Sequence, residues 1–235
     1  MSHPPLAPRL AAELDRLFGP AAPAPTDSPE GTTRCLGLEL LWPAQWPSLA
    51  ALWHGVQNEL GLPEPAITVN GRDALGVWFA LQAPVTAAQG QRFLDALRQR
   101  YLPDWPSARW RGLVTPQDRP LPRVQPGTGL WSAFVAPDLA PVFTDEPGLD
   151  LPPNPDGQAE RLARLRGATA SEFEQACERL GLGTQAIASA QGPAQAHDMP
   201  WREAARVFLG QVMHDATAPL ALRLEAAKAL LNARD

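Results

Sequence analysis

The segment AITVNGRDALGVWFAL, residues 66–81, constrains the fold more than any other part of the chain. Apolar and polar residues alternate over 66–70, which is the period-2 pattern of a strand with one buried face. Asn70 and Gly71 follow, and this pair is typical of a hairpin turn because both residues tolerate positive φ. Bulky residues over 77–81 suit a second strand. The segment therefore predicts a β-hairpin.

The flanking segments predict the rest of a small sheet. The predicted elements are a strand over 34–42, an amphipathic helix over 48–60, a helix capped by Thr86 and ending near 102, and a strand over 109–114. Their order is the split β-α-β-β-α-β arrangement of ferredoxin-like and RNA-recognition-type folds, so we expect an α+β core with added C-terminal helices. Two helices would cover one sheet face. The other face would be wet, covered by later segments or used for binding.

Composition shifts predict four parts. Residues 1–30 hold a helix over 6–18, which packs on the body or acts as a docking arm, and a Pro/Ala-rich linker. Residues 31–182 form the α+β core with appended helices, 183–198 a flexible linker, and 199–235 a helical hairpin. Two helices have too little core to be stable alone. We therefore expect 199–235 to bind a protein partner or to mediate self-association.

Charge and cysteine usage exclude several classes of protein. The formal net charge of -5 does not predict a generic basic surface for nucleic acid, although local patches are compatible with it. Cys35 and Cys177 are isolated, so a zinc site is not expected. No apolar run approaches ~20 residues, the length that a membrane-spanning helix needs, so a membrane partner is not predicted. These features predict a cytoplasmic protein that carries no cofactor.

The order of motifs over residues 34–135 resembles that of archaeo-eukaryotic primase-like (primase-polymerase) domains. The resemblance rests on the element order, VNGRDALGVWFAL over 69–81, Asp104, and the PGTG loop of Pro126, Gly127, Thr128 and Gly129. It implies that a pair of acids on an early strand and a later acid bind divalent metal. It also implies a histidine on a hairpin strand that contacts nucleotide phosphate, and a PGT-type loop. The C-terminal stretch over 212–231 is similar to tail helices of phage and mobile-element proteins, including small terminase-like subunits.

The chain departs from that pattern at the residues that would bind metal. Glu39 is the only acid on the first strand, and the hairpin has no histidine; Arg72 and Asp73 are the charged residues nearby. Two-metal phosphoryl transfer requires several carboxylates that converge on the ions. The resemblance therefore implies a relative without catalytic residues. The alternative is an active metal-dependent nucleotidyl transferase that uses Glu39 and Asp104.

Six residues are candidates for contact with single-stranded nucleic acid. Trp78 would face away from its neighbours Val77 and Phe79, where a base could stack on it, although core packing is the alternative. The others suit phosphate, with a solvated loop as their alternative: Arg72, Arg109, Arg111, Arg119 and Arg123. The leading hypothesis is a non-enzymatic binding or assembly protein with a primase-like core, acting on nucleic acid or on a replication or mobile-element partner. A purely structural protein is the third class.

Overall fold

A computed structural model describes residues 6–20, 31–43, 46–144 and 146–183. The strands are β1 Thr32–Leu41, β2 Ala66–Val69, β3 Ala74–Thr86, β4 Trp110–Leu113 and β5 Ala133–Val135. The helices are α1 Pro8–Phe18, α2 Trp46–Asn58, α3 Ala87–Tyr101, α4 Pro155–Ala163 and α5 Ala170–Arg179, with short 3-10 turns at Ser107–Arg109, Pro116–Asp118 and Ala140–Thr144. The α+β class is confirmed.

The five strands form one antiparallel sheet in the order β4-β1-β3-β2-β5. From β1 to β4 the elements follow one another as strand, helix, strand, strand, helix, strand, and β5 extends the sheet beyond β2. The predicted linker over 21–30, nearly all of the linker over 183–198, and the helical pair over 199–235 lie outside the described residues.

The hairpin turn is longer than the Asn-Gly pair predicts. Four residues, Asn70 to Asp73, separate β2 from β3, and only Gly71 has positive φ (73°). The Asn70 side chain explains this, since its Oδ1 accepts hydrogen bonds from the backbone N–H groups of Arg72, Asp73 and Ala74. An asparagine that organises a turn through its side chain does not need the left-handed conformation.

Helices α2, α3 and α5 cover the first face of the sheet. Alternate residues of β1, namely Leu36, Leu38 and Leu40, are fully buried against them, as period-2 geometry requires. Helix α3 begins where the sequence predicts: Thr86 accepts a hydrogen bond from the Gln89 backbone, and the Gln89 side chain accepts one from the Thr86 backbone.

Helices α1 and α4 cover part of the second face. Leu10, Leu14 and Leu17 of α1 are buried in a separate core, which also contains Trp78 and Phe134 from the sheet. Helix α1 contacts α4, β1 and β3, so it packs on the body of the protein. The remainder of this face lies beneath the proline-rich connection that follows β4.

Trp78 is the largest side chain of the second face, and its ring lies close against two glycines. A Cβ atom built on Gly37 would be 2.5 Å from the Trp78 ring, and one built on Gly76 would be 2.9 Å from its indole nitrogen. The indole nitrogen donates a hydrogen bond to Thr68 Oγ1 at 2.7 Å. Glycine within a strand is typical of such a close approach. The ring therefore spans three neighbouring strands and is 3% exposed.

We predict that Gly37→Ala destabilises the protein by roughly 1–3 kcal/mol, because the added methyl group overlaps a ring held on both sides. Urea unfolding measures the change. Gly157→Ala is the matched control, since its Cβ would meet only the Asn154 Cβ at 3.9 Å; it should be neutral or stabilising by up to about 1 kcal/mol. Equal stability of the two variants would contradict this packing.

Candidate functional site

A cavity of about 220 Å³ lies on the second face of the sheet. Trp78 and Thr68 of the sheet line it on one side, and the connection from Gln117 to Gln125 lines it on the other. Its remaining lining residues are Glu39, Val69, Asn70, Arg72, Arg111, Leu113, Ser132, Ala133 and Phe134. The wall is fixed in place by Ser132, whose hydroxyl donates to the Leu121 carbonyl at 2.6 Å and accepts from the Arg123 backbone N–H at 3.0 Å.

Glu39 and Arg111 form an ion pair at one end of the cavity. The two residues are opposite each other in the β1–β4 pairing, and Arg111 Nη2 lies 2.8 Å from Glu39 Oε2. Arg111 Nη2 also donates to Asp73 Oδ1 at 2.6 Å, and Asn70 Nδ2 donates to the same carboxylate oxygen at 3.0 Å. The Glu39 side chain is 8% exposed and that of Arg111 34%. One guanidinium therefore balances two carboxylates.

The pKa values of the two carboxylates that contact Arg111 are shifted in opposite directions. Burial raises the pKa of Glu39 above its ordinary value of 4.5, and the charge of Arg111 only partly offsets this. For the more exposed Asp73, burial is the largest single influence and raises the pKa, but the hydrogen bonds from Asn70 and Arg111 and the nearby arginine charges together outweigh it and lower the pKa overall. Glu39 is thus the acid for which ionisation costs more in the folded state.

Arg119 is the most deeply buried charged group of the cavity. Its side chain is 5% exposed, and its Nη1 lies 2.5 Å from Asp15 Oδ1 of α1. The same nitrogen donates to the Gly19 carbonyl. Its Nε is buried and has no hydrogen-bond partner in the described part of the chain. Buried polar groups are nearly always paired, so this nitrogen requires an explanation.

The rim of the cavity carries two further arginines. Arg72 and Arg123 are exposed, and neither side chain forms an ion pair within the described residues. The lining holds four arginines and two acids, Glu39 and Asp118, and the carboxylates of Asp73 and Asp15 pair with two of those arginines from outside the lining. The chain as a whole has a net charge of -5. The groups of the cavity that can meet an anion are therefore the two rim arginines and the unpaired nitrogen of Arg119.

Five of the six residues predicted for nucleic-acid contact line this one cavity: Arg72, Trp78, Arg111, Arg119 and Arg123. Arg109 does not. Its guanidinium donates to the Pro43 carbonyl at 2.6 Å and lies 5.3 Å from the centroid of the Trp105 ring. Trp78 is buried as the floor of the cavity, so it offers no free surface platform for a base.

The PGTG loop, residues 126–129, braces the hairpin turn and is not part of the cavity lining. The Thr128 hydroxyl donates to the Gly71 carbonyl, and Gly71 N–H donates to the Pro147 carbonyl at 2.7 Å. Gly129 has a φ of 74° and closes the turn by donating to the Gln125 carbonyl at 2.8 Å. The loop therefore positions Gln125, which does line the cavity.

The two acids proposed for metal do not share a site. Glu39 lines the cavity and is paired with Arg111, whereas Asp104 is exposed in the connection between α3 and β4 and is not among the lining residues. Within the described ranges there is no group of three or more His, Cys, Asp or Glu side chains that could hold a metal ion.

Sequence reasoning missed Gln125, Ser132 and Thr68, which are buried polar residues of the lining. The sequence carries a signal for one of them, Thr68, and a separate signal for the close packing at Gly37. Thr68 is the polar residue between Ile67 and Val69, so alternation places it on the face opposite the first core. Isolated glycines in strand patterns, such as Gly37, mark a close approach of another group. Nothing in the sequence pattern places Ser132 or Gln125.

Two comparisons with known proteins give no match for this chain. No protein-family model matches it, and no curated protein matches it. Among the residues that the structure describes, there is no helix of the length and apolar character needed to cross a bilayer.

We predict that Glu39→Gln gains stability relative to the parent protein as the pH rises above 4.5. A carboxyl whose pKa is raised in the folded state stabilises the fold below its ordinary pKa and loses that contribution as pH rises through the raised value. Glutamine does not titrate. Urea unfolding of both proteins over a pH series measures the difference.

Glu172→Gln is the control of opposite sign. Hydrogen bonds from Arg166 and from Thr169 lower the pKa of Glu172 to about 2, so its contribution is present above 4.5 and is lost as the pH falls toward 2. The Glu172→Gln deficit should therefore shrink with acid. If the difference in unfolding free energy between Glu39→Gln and the parent protein does not change over the same pH series, burial does not control the pKa of Glu39.

Proposed function

We propose that this chain is a non-enzymatic binding protein and that single-stranded nucleic acid is its ligand, held at the arginine-lined cavity of the sheet. The observation that carries the proposal is the convergence of Arg72, Arg111, Arg119 and Arg123 on one recess of an otherwise acidic protein. Arginine is the residue best suited to phosphate, because its planar guanidinium donates two parallel hydrogen bonds.

A binding role fits the donor set of the cavity better than phosphoryl transfer. The one carboxylate of the first strand, Glu39, is engaged by Arg111, and an arginine at 2.8 Å competes with any cation for the same oxygen. Asp118 is also engaged, since it accepts hydrogen bonds from the Thr115 backbone and hydroxyl. Metal-dependent transfer requires carboxylates that are available to the ions.

An unpaired strand suits the recess better than a duplex. The cavity holds only about 220 Å³, so a base-paired helix can reach its rim and nothing deeper. A single strand can direct part of one unpaired nucleotide inward while its backbone follows the exposed Arg72 and Arg123. The primase-like character of the core stays a prediction.

We predict that the double substitution Arg72→Gln, Arg123→Gln weakens binding of a fluorescein-labelled single-stranded oligonucleotide at low salt. Each lost phosphate contact should reduce the slope of log K against log salt by about 0.7. Fluorescence anisotropy with DNA and RNA strands measures both quantities. The full chain is used, and duplex of the same sequence should bind more weakly than either strand.

The control is Arg92→Gln, Arg164→Gln, which changes the net charge equally at an exposed position of α3 and at the exposed C-terminal cap of α4, both outside the lining. This control should leave affinity and salt slope near those of the parent. Absence of binding at low salt, or an equal loss in the two double variants, would overturn the proposal.

A further inference from the structure

We infer that the cavity is a subsite for one terminal phosphate, and that the unpaired edge of Arg119 holds it. The inference rests on the proposed function and deepens it, because it states which part of a nucleic-acid ligand enters the recess. The group recognised is a phosphate monoester, present at the end of a strand or on a free nucleotide.

Arg119 has one occupied and one unoccupied side. Nη1 is engaged by Asp15 and by the Gly19 carbonyl, which fixes the plane of the guanidinium. Nε, on the other side, has no partner among the described residues although its side chain is 5% exposed. Nε and Nη2 share the edge of the guanidinium that donates to both oxygens of an anion. The partners on Nη1 therefore pre-orient the free edge.

The pairing with Asp15 leaves a hydrogen-bonding edge available. Asp15 balances the charge of Arg119 through Nη1, and Nε stays free to donate to an anion. Arg72 and Arg123 on the rim have no ion pair within the described part of the chain. A phosphate monoester carries about −1.5 to −2 at neutral pH, so these two arginines attract it more strongly than they attract the single charge of an internal diester.

Gln125 supplies a neutral polar group to the same recess. It is 8% exposed, and no hydrogen bond of its side-chain amide to another described residue is present, although its backbone is fully engaged by the turn at 126–129. An amide whose donors and acceptors are free at the cavity surface suits phosphate oxygens or a sugar hydroxyl. Its position depends on the turn, so its side chain can be changed without loss of the backbone bonds.

The size of the cavity favours the end of a ligand. Pockets that enclose a whole small molecule usually measure about 300–1,000 Å³. A recess of about 220 Å³ admits a phosphate with part of its sugar and no further residue of a strand. The remaining nucleotides would lie outside, across the arginine rim.

The experiment compares one oligonucleotide in three forms: with a 5′-phosphate, with a 3′-phosphate and with hydroxyls at both ends. We expect one phosphorylated form to bind roughly 10-fold more tightly than the hydroxyl form, as for a charge-assisted bidentate contact. A nucleoside monophosphate and inorganic phosphate serve as competitors. If the nucleoside monophosphate binds as tightly as the phosphorylated strand, the ligand that carries the phosphate is a free nucleotide and not the end of a strand.

Arg119→Lys tests the residue. Lysine keeps the charge beside Asp15 but has no two-pronged edge, so the ratio of the affinities for the phosphorylated and the hydroxyl forms should fall to near one, whatever the affinity for the hydroxyl form itself. Arg16→Lys is the control, because Arg16 binds the Leu162 and Leu165 carbonyls and does not line the cavity. Thermal unfolding of each variant verifies that it is folded.

Gln125→Glu is the second variant and leaves Arg119 unchanged. The added negative charge should lower the preference for the phosphorylated form several-fold, even if Arg119→Lys does not fold. If the three oligonucleotides bind equally, the terminal-phosphate subsite is wrong and strand binding stands. If neither strands nor the monophosphate bind, both proposals fail.

Discussion

The indole of Trp78, packed against Gly37 and Gly76 and hydrogen-bonded to Thr68, determines how the second face of the sheet is used. Two strands must carry glycine for a ring of that size to lie so close to the backbone. On one side of the ring, α1 and α4 bury Leu10, Leu14 and Leu17 and close an apolar core. On the other side the ring is the floor of the cavity. The same side chain thus separates a packed region from a cavity.

Two arginines show how that separation affects charge. Arg111 lies beside Glu39 and Asp73, so its charge is locally balanced and it stabilises the sheet edge. Arg119 is held by one partly exposed carboxylate, Asp15, and keeps an unpaired nitrogen. A buried ion pair that loses one partner is strongly destabilised, whereas an arginine with a free edge can accept an anion from outside. Arg111 is thus balanced by two carboxylates, whereas Arg119 keeps a nitrogen that has no partner among the described residues.

The sequence predicts much of this fold and little of the site. Alternation over 66–70 and the helical stripe over 48–60 report on local geometry, and β2, β3 and α2 appear there as expected. The cavity wall, by contrast, is a proline-rich connection without periodicity. Arg119 could be selected only as a member of a basic run, because its partner Asp15 lies 104 residues earlier. Contacts of that kind depend on tertiary packing, which a local pattern does not encode.

The hairpin turn shows the same limit at smaller scale. Asn70 and Gly71 correctly mark a turn, yet its length follows from three hydrogen bonds to one Asn70 oxygen and from the loop at 126–129 that contacts Gly71. Turn propensity predicts where the chain reverses, and long-range contacts decide its geometry.

Ligand binding in the cavity beside Trp78 and Arg119 is tested most directly by a two-dimensional ¹H–¹⁵N NMR titration. The full chain is titrated with a short, end-phosphorylated single-stranded oligonucleotide. If the ligand enters the cavity, we expect the Trp78 indole and Arg119 Nε signals to shift together and saturate. The Trp53 indole, which donates to the Pro65 carbonyl in the first core, should not move. Shifts confined to the Trp105 indole, beside Arg109, would place the ligand outside the cavity and contradict binding at Arg119.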